Sequence, residues 1–151
     1  MDMVHEARAA RQGNRHLYDR DVAAPYLKPG FVVARLVNPL LMRLGVVPTL
    51  AVRGRKSGAW RTVPVFVLGL DGRRYLVAPR GNTHWVQNLR AAGGGEIRTR
   101  KGTEPFRAVE VANDEKPPII DAYLAHWGSQ VKAQFRELPD PSDHPVFRLE
   151  R

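Results

Sequence analysis

The sequence predicts a mainly β fold with flanking helices (an α+β protein), in which one antiparallel barrel forms a single domain. Two glycine-containing turns, Asp71-Gly72 and Lys101-Gly102-Thr103, each separate two β-prone segments and are typical of hairpins. Only two helical patterns interrupt about six predicted strands. A doubly wound parallel sheet would need a helix after nearly every strand, so an antiparallel barrel with helices at its ends fits better.

The first part of the chain is predicted to lie outside this barrel. Residues 1–30 are charged and have no sustained hydrophobic period, which indicates a basic N-terminal arm that is disordered or forms a lone helix. From Phe31 to Leu44 the apolar residues recur every four positions, as in an amphipathic helix, although Pro39 would kink or split it. We therefore divide the chain into an arm over 1–30 and a barrel domain over 31–151.

Three strands are predicted before the next helix: Thr49 to Arg53, Arg61 to Leu70 and Arg73 to Pro79. The second contains the nearly continuous apolar run Val65 to Leu68, which predicts that both of its faces are covered. Pro64 is expected at a bulge or an unpaired position, because proline has no backbone N–H group.

A short helix follows the third strand. Thr83 or Asn82 is expected to cap its start, and the run Gly93-Gly94-Gly95 is expected to end it. Two more strands, Glu96 to Arg100 and Glu104 to Ala112, flank the second hairpin turn.

A longer helix is predicted to begin near Asn113, and its apolar residues are spaced four, three, four and four apart. The members of this stripe are Ile120, Leu124, Trp127, Val131 and Phe135. The acidic residues Asp140 and Asp143 then form a polar loop with His144, and Pro145 to Leu149 predicts a final strand.

The composition narrows the kinds of site that the protein could carry. Its 151 residues suffice for one domain whose core needs no disulfide or structural metal. The absence of cysteine excludes thiolate zinc sites and cysteine nucleophiles, and the 5 histidines show no zinc-site spacing. The start lacks the apolar core of a signal peptide and no stretch is long enough to span a membrane, so we expect a soluble, cytoplasmic protein.

The formal net charge of +9 favours an anionic partner, such as nucleic acid, lipid headgroups or a phosphorylated cofactor. The chain has no recognised nucleic-acid motif and no concentrated basic helix, which argues against specific nucleic-acid binding. Contact of the basic region from Met1 to Arg43 with anionic lipid, as a peripheral membrane association, is one alternative.

Four cations are concentrated in and beside the turn between the first two strands: Arg53, Arg55, Lys56 and Arg61. Ser57 adds a hydroxyl, and glycines on both sides would let backbone amides point outward. Such donors bind phosphate or carboxylate. The turn is not a Walker loop, because no glycine precedes Lys56 and a strand follows it. An anion site and a solvated hairpin tip are both compatible with this cluster alone.

A second segment, Val77 to Arg90, places a glycine turn at a helix N-terminus, where backbone amides commonly receive an anion. Trp85 offers a flat apolar surface, while Asn82, Asn88 and Arg90 supply polar groups. Taken alone, Trp85 is as compatible with a core position as with a cofactor wall. Together with the cationic turn, this segment could line one cleft that holds a large anionic ring system.

Four motifs in this order resemble the deazaflavin-dependent nitroreductase family, split-barrel reductases that use coenzyme F420: GRKSG, RTVPVF, YLVAPRG and WVQNLR. The match covers roughly residues 49 to 100. The resemblance implies a single split β-barrel of the FMN-binding-like type. It also implies an oxidoreductase that transfers a hydride from reduced deazaflavin to a small electron-poor acceptor of the quinone, nitro or enone type. F420 is favoured over FMN, since an acidic tail gives several cations something to neutralise.

The resemblance further implies which residues bind the cofactor. Three turn residues would hold its phosphate and acidic tail: Arg55, Lys56 and Ser57. Six residues of the second strand would run along it: Arg61, Thr62, Val63, Pro64, Val65 and Phe66. Four residues after the third strand would contact the ring: Val77, Ala78, Pro79 and Arg80. Three residues of the short helix would close the far side: His84, Trp85 and Asn88. No catalytic side chain or metal is required, because the cofactor carries the reactivity.

The sequence departs from the family pattern at two places. The loop before Trp85 is shorter than usual, and Ser129 to Leu138 contains Phe135 but none of the tyrosines that family members place beside the substrate. The alternative function is a non-catalytic split-barrel protein that binds a fatty acid or lipid, with the acyl carboxylate on Arg55 or Lys56. The sequence predicts no oligomeric state.

Overall fold

The computed structural model describes residues 47–151, so the arm predicted over 1–30 and the helix predicted from Phe31 to Leu44 lie outside the described residues. The strands are β1 (Thr49–Arg53), β2 (Trp60–Pro64), β3 (Val67–Leu70), β4 (Arg73–Val77), β5 (Gly94–Thr99), β6 (Gly102–Glu110) and β7 (Val146–Glu150). The helices are α1 (His84–Ala92) and α2 (Lys116–Glu137), and 3-10 turns cover Asn113–Glu115 and Pro141–Asp143.

The strands form one curled 7-stranded sheet in the order β2-β1-β5-β6-β7-β4-β3. Every neighbouring pair is antiparallel. The predicted mainly β architecture with flanking helices is therefore confirmed. The consecutive strands β2 and β3 lie at opposite edges of this sheet, so the short link between them carries the chain from one edge to the other.

The prediction of a single strand from Arg61 to Leu70 is wrong, because the structure divides this segment into β2 and β3. Pairing with β1 ends at Pro64, which lies opposite Thr49 in register rather than at a bulge. β2 is an edge strand, so a proline without an N–H group is tolerated there. The next residue, Val65, donates its N–H to the carbonyl of Pro48 (3.0 Å) and leaves the ladder.

Two clusters of buried side chains cover the two faces of the sheet. Leu76 of β4 belongs to the first cluster, together with Val86 and Leu89 of α1. The second cluster lies under α2, and the whole predicted stripe of that helix packs in it, as the periodicity indicates. Because Val65 and Val67 contact the first cluster and Phe66, Leu68 and Leu70 the second, the apolar run has covered faces on both sides as predicted.

The glycine run after α1 serves two purposes, only one of which the sequence predicts. Gly93 ends the helix in the left-handed conformation (φ 75°) and donates its N–H to the carbonyl of Leu89 (2.8 Å). Gly94 and Gly95 instead begin β5, two residues before the predicted start. A Cβ atom on Gly95 would lie 2.5 Å from the carbonyl oxygen of Ala51, so this strand pair requires glycine.

Within residues 47–151, no helix has the length and apolar character needed to cross a membrane.

Candidate functional site

The loop between β1 and β2 is closed by its own backbone. Gly54 donates its N–H to the carbonyl of Ala59 (2.8 Å) and accepts at its own carbonyl from the N–H of Gly58 (2.9 Å). Gly58 has a φ of 72°, which glycine adopts without strain. The hydroxyl oxygen of Ser57 accepts from the N–H of Ala59 (3.2 Å). The amides of Gly54, Gly58 and Ala59 thus bond within the loop rather than pointing outward, contrary to the expectation from its glycines.

A clasp between Arg55 and Asn88 holds this loop against α1. The Oδ1 atom of Asn88 accepts from the backbone N–H of Arg55 (3.1 Å) and from its guanidinium (2.7 Å). A second guanidinium nitrogen of Arg55 lies 3.4 Å from Nδ1 of His84. Asn88 is 6% exposed, so both hydrogen bonds to it are largely shielded from water. The clasp brings the cationic loop and the helix start side by side.

Replacing Asn88 by leucine is expected to destabilise the protein by about 1–3 kcal/mol, since the amide and guanidinium of Arg55 lose their shared acceptor. Urea unfolding of the full chain measures this loss. Asn113→Leu is the matched control, because Asn113 is exposed in a 3-10 turn outside the clasp. Equal unfolding free energies for the two variants would show that the clasp contributes nothing.

A cleft of about 520 Å³ opens between the loop and the first turns of α1. The residues that line it are Val52, Gly54, Arg55, Lys56, Ser57, Arg61, Thr62, Val63, Arg80, Thr83, His84, Trp85 and Asn88. The structure therefore brings residues from all four predicted groups together in one cavity.

Some of the predicted site residues lie away from this lining: Pro64, Val65, Phe66, Val77, Ala78 and Pro79. Phe66 stacks on Trp127 of α2, with ring centroids 5.0 Å apart and planes inclined by 3°. Val77 also belongs to the cluster under α2, while Ala78 is fully buried in the opposite cluster. Phe66, Val77 and Ala78 therefore contribute to the core rather than to the cleft.

Three lining residues were absent from the predicted set: Val52, Gly54 and Thr83. Val52 could have been found from strand alternation, because Leu50 and Val52 of β1 both belong to the cluster next to α1. Thr83 occupies the N-cap position of α1 as predicted, but its side chain makes no capping hydrogen bond. Its Oγ1 is buried and has no hydrogen-bond partner in the described part of the chain, so the cleft wall contains an unsatisfied hydroxyl.

The cleft is electropositive. Four of its lining side chains carry a positive charge, Arg55, Lys56, Arg61 and Arg80, and none is a carboxylate. Across residues 47–151 other arginines pair with glutamates, for example Arg74 with Glu104 at 2.7 Å. No such pair involves Lys56 or Arg61 within that range. Unneutralised cations around a concave surface favour an anionic ligand.

Two polar residues expected near the ligand have a structural role. Arg90 donates two hydrogen bonds to the carboxylate of Glu110 (2.8 and 2.7 Å) and one to Oδ1 of Asn82 (2.9 Å). The hydrogen bond with Glu110 raises the pKa of Arg90, which remains charged. These contacts attach α1 to β6 and direct Asn82 and Arg90 away from the cleft lining.

The apolar wall of the cleft is continuous with the core. Trp85 is half-buried and packs against the cluster next to α1, with its ring 6.2 Å from that of Phe147. Val63 is half-buried against the same cluster and Val52 is fully buried in it. Both interpretations of Trp85 therefore hold, because one part of the ring packs in the core and another lines the cleft.

A family model described as F420H(2)-dependent quinone reductase matches residues 33–139 of this chain. A similar solved structure is an F420-H2 dependent reductase, FDR-A, with a TM-score of 0.51 and 22% identity over 68% of this chain and 93% of that one. A protein of unknown function from Agrobacterium tumefaciens str. C58 has a TM-score of 0.54 and 19% identity over 83% of this chain and 57% of its own.

A NimC/NimA family protein from Clostridium acetobutylicum has a TM-score of 0.50 and 18% identity, covering 73% of this chain and 74% of that one. No curated protein sequence matches this chain significantly. At such low identities the structural matches establish the fold, and the predicted split-barrel class is confirmed.

Proposed function

The chain belongs to the F420H(2)-dependent quinone reductase family and is an F420-dependent oxidoreductase, and on this premise we propose that the cleft between the β1–β2 loop and α1 binds the deazaflavin cofactor. The observation that carries this proposal is the charge of the lining, which contains four cations and no carboxylate. F420 combines a flat ring with a phosphate and an acidic tail. An apolar wall beside several cations fits both parts of such a molecule.

The cationic side of the cleft would hold the phosphate and the acidic tail. Lys56 and Ser57 are exposed at the tip of the loop, and Arg61 is exposed on β2. Arg55 already donates to Asn88, so it contributes its charge and its remaining N–H groups while also fixing the loop. A guanidinium that is held in place loses less conformational entropy when it binds an anion.

The apolar side would hold the ring. Val52, Val63 and Trp85 present carbon atoms to the cleft and are themselves packed on the core, so this wall excludes water from one side of a flat ligand. When bound, the reduced cofactor supplies the hydride, while the protein positions the reactants.

Within the predicted acceptor classes, the family favours a quinone. His84 lines the cleft, and its Nδ1 lies 3.4 Å from a guanidinium nitrogen of Arg55. Because a guanidinium only donates hydrogen bonds, Nδ1 accepts, and the hydrogen of the neutral ring lies on Nε2. His84 would then donate a hydrogen bond from Nε2 to a quinone oxygen, and the proton that completes the hydroquinone comes from water.

The proposal is tested with the full chain by titrating F420 and following its fluorescence, first at low and then at high salt. We expect saturable binding that weakens with salt, as exposed charges are screened. Anaerobic oxidation of F420H2 is then measured with 2-methyl-1,4-naphthoquinone, a nitroaromatic compound and cyclohexenone, and the quinone should react fastest. Absence of F420 binding at low salt would contradict the cleft assignment. Faster turnover of the nitro compound or the enone would contradict the quinone assignment alone.

A further inference from the structure

His144 is fully buried between the end of β4 and the end of α2. Its Nδ1 lies 2.9 Å from the carbonyl oxygen of Ala78, and its Nε2 lies 2.6 Å from that of Leu138. The imidazole stacks on Phe135, with centroids 4.0 Å apart and planes inclined by 14°. His144 does not line the cleft, so the proposed cofactor contacts do not explain this buried ring.

Both polar neighbours of the ring are acceptors. A backbone carbonyl cannot donate, so each hydrogen bond requires a hydrogen on the facing ring nitrogen. The neutral imidazole carries one N–H group, whereas the imidazolium carries two. A neutral ring would place a nitrogen lone pair against a carbonyl oxygen in a site without solvent and leave that nitrogen without a donor, at a substantial cost.

Complete burial disfavours a charged imidazole, but three features around His144 favour a second ring proton. Leu138 is the C-cap of α2, where the helix dipole presents its negative end. The face of Phe135 adds a cation–π contact. Hydrogen bonds from Ser142 and, to a smaller degree, the charge of His144 lower the pKa of Asp140, which keeps a carboxylate in the turn before the ring.

The elements around His144 also carry these titratable or charged groups: Arg73, Arg74 and Tyr75 of β4, Arg80 in the turn after β4, Lys116, Arg136 and Glu137 of α2, Asp140 and Asp143 of the 3-10 turn, and Arg148 and Glu150 of β7. Burial lowers the pKa of Lys116, which also interacts with Glu110, Arg90, Asp143 and Asp140. Asp140 and Asp143 thus supply negative charge near both basic groups.

We propose that His144 is a positioning residue whose protonated ring holds the turn Ala78–Gly81, which presents Arg80 to the cleft. The carbonyl of Ala78 also accepts from the N–H of Gly81 (3.2 Å), and this hydrogen bond closes the turn. The N–H of Ala78 donates to the carbonyl of Pro145 (2.9 Å). The ring therefore fastens the turn to the end of α2. The consequence for the cofactor rests on the function proposed above.

Loss of the second ring proton removes one of the two hydrogen bonds. This contribution to stability is present at low pH and disappears as the pH rises through the range in which the ring loses that proton, because the folded state then binds one proton more than the unfolded state. Over that range the unfolding constant of the wild type should increase relative to that of His144→Gln, by up to tenfold per pH unit. Glutamine does not titrate in this range, so its variant provides a reference whose hydrogen bonds do not change with pH.

The experiment uses the full chain, first without cofactor. Nitrogen-15 NMR is expected to show a folded state in which both ring nitrogens of His144 are protonated, and urea unfolding is followed against pH for the wild type and His144→Gln. His126→Gln is the matched control, because His126 is an exposed histidine on α2 and its variant should behave as the wild type does. If His144→Gln does not fold, the NMR titration of the wild type still decides.

The second measurement is the Kd for F420 across the same pH range. In the wild type and in His126→Gln, binding should weaken several-fold as the ring loses its second proton, whereas His144→Gln should bind weakly throughout. A ring nitrogen that is unprotonated while the protein is folded and binds F420 fully would overturn the inference. A Kd that does not change while the ring titrates would do the same. A doubly protonated ring in a protein that never binds F420 would support the role of His144 in holding the turn and would refute the proposed function instead.

Discussion

Replacing both Lys56 and Arg61 by alanine is expected to weaken F420 binding by about 100-fold or more. A hydrogen bond to a charged group contributes roughly 1.5–3 kcal/mol, and the double variant removes two such donors from the cationic side of the cleft. Neither side chain pairs with a carboxylate within residues 47–151, so the substitutions should leave the folded state almost unchanged. Fluorescence titration of F420 measures the change in Kd.

The matched control for this prediction is the double variant Arg73→Ala and Lys101→Ala. Both residues are exposed in or beside hairpin turns and lie outside the cleft lining. The control removes the same formal charge, so a general electrostatic effect would weaken F420 binding equally in both double variants. We expect a change of less than about threefold in the control, as for remote charges screened by salt. Equal losses would refute a local role for Lys56 and Arg61.

The second large effect is expected for Gly95→Ala, which should destabilise the protein by about 3 kcal/mol, the upper part of the usual range for overpacking. The new Cβ atom would lie 2.5 Å from the carbonyl oxygen of Ala51, and this oxygen belongs to the backbone of β1. The clash is relieved only if β1 and β5 move apart. Since β1 leads into the cationic loop, F420 binding should decrease as well. Urea unfolding and fluorescence titration measure the two effects.

Gly69→Ala provides the control, because a Cβ atom on Gly69 meets nothing within 4 Å and its φ is not positive. This variant should keep the wild-type stability or gain slightly, as the unfolded chain loses conformational freedom. Equal urea-unfolding midpoints for Gly95→Ala and Gly69→Ala would show that β1 and β5 adjust to the added methyl group without loss of stability.

Much of the fold could be predicted because its signals are local. The spacing of apolar residues from Ile120 to Phe135 predicts the buried face of one helix. The two glycine-containing turns predict the strand pairs on either side of them. The division between β2 and β3 could not be predicted. Val65 and Phe66 have the same apolar character as the strand residues after them, and only the tertiary fold shows that the chain changes edge there.

The candidate site shows the same limit. Residue types and order predict that Lys56, Arg61 and Trp85 line one cleft, but no local pattern indicates that Asn88 accepts two hydrogen bonds from Arg55, 33 residues away. His144 was grouped with Asp140 and Asp143 in a polar loop, yet it is fully buried. Its two carbonyl partners come from distant segments and from the end of a helix, so they become visible only in three dimensions.

The link of two residues between β2 and β3 has a consequence for the two open edges of the sheet. From Pro64 to Val67 an extended chain reaches roughly 10 Å, so the first and last strands of the sheet approach each other at that end. Open strand edges template the addition of foreign strands, and a narrow gap between them leaves little room for an incoming chain. At that end of the sheet, the short link thereby leaves little of either edge strand open to pairing with another strand.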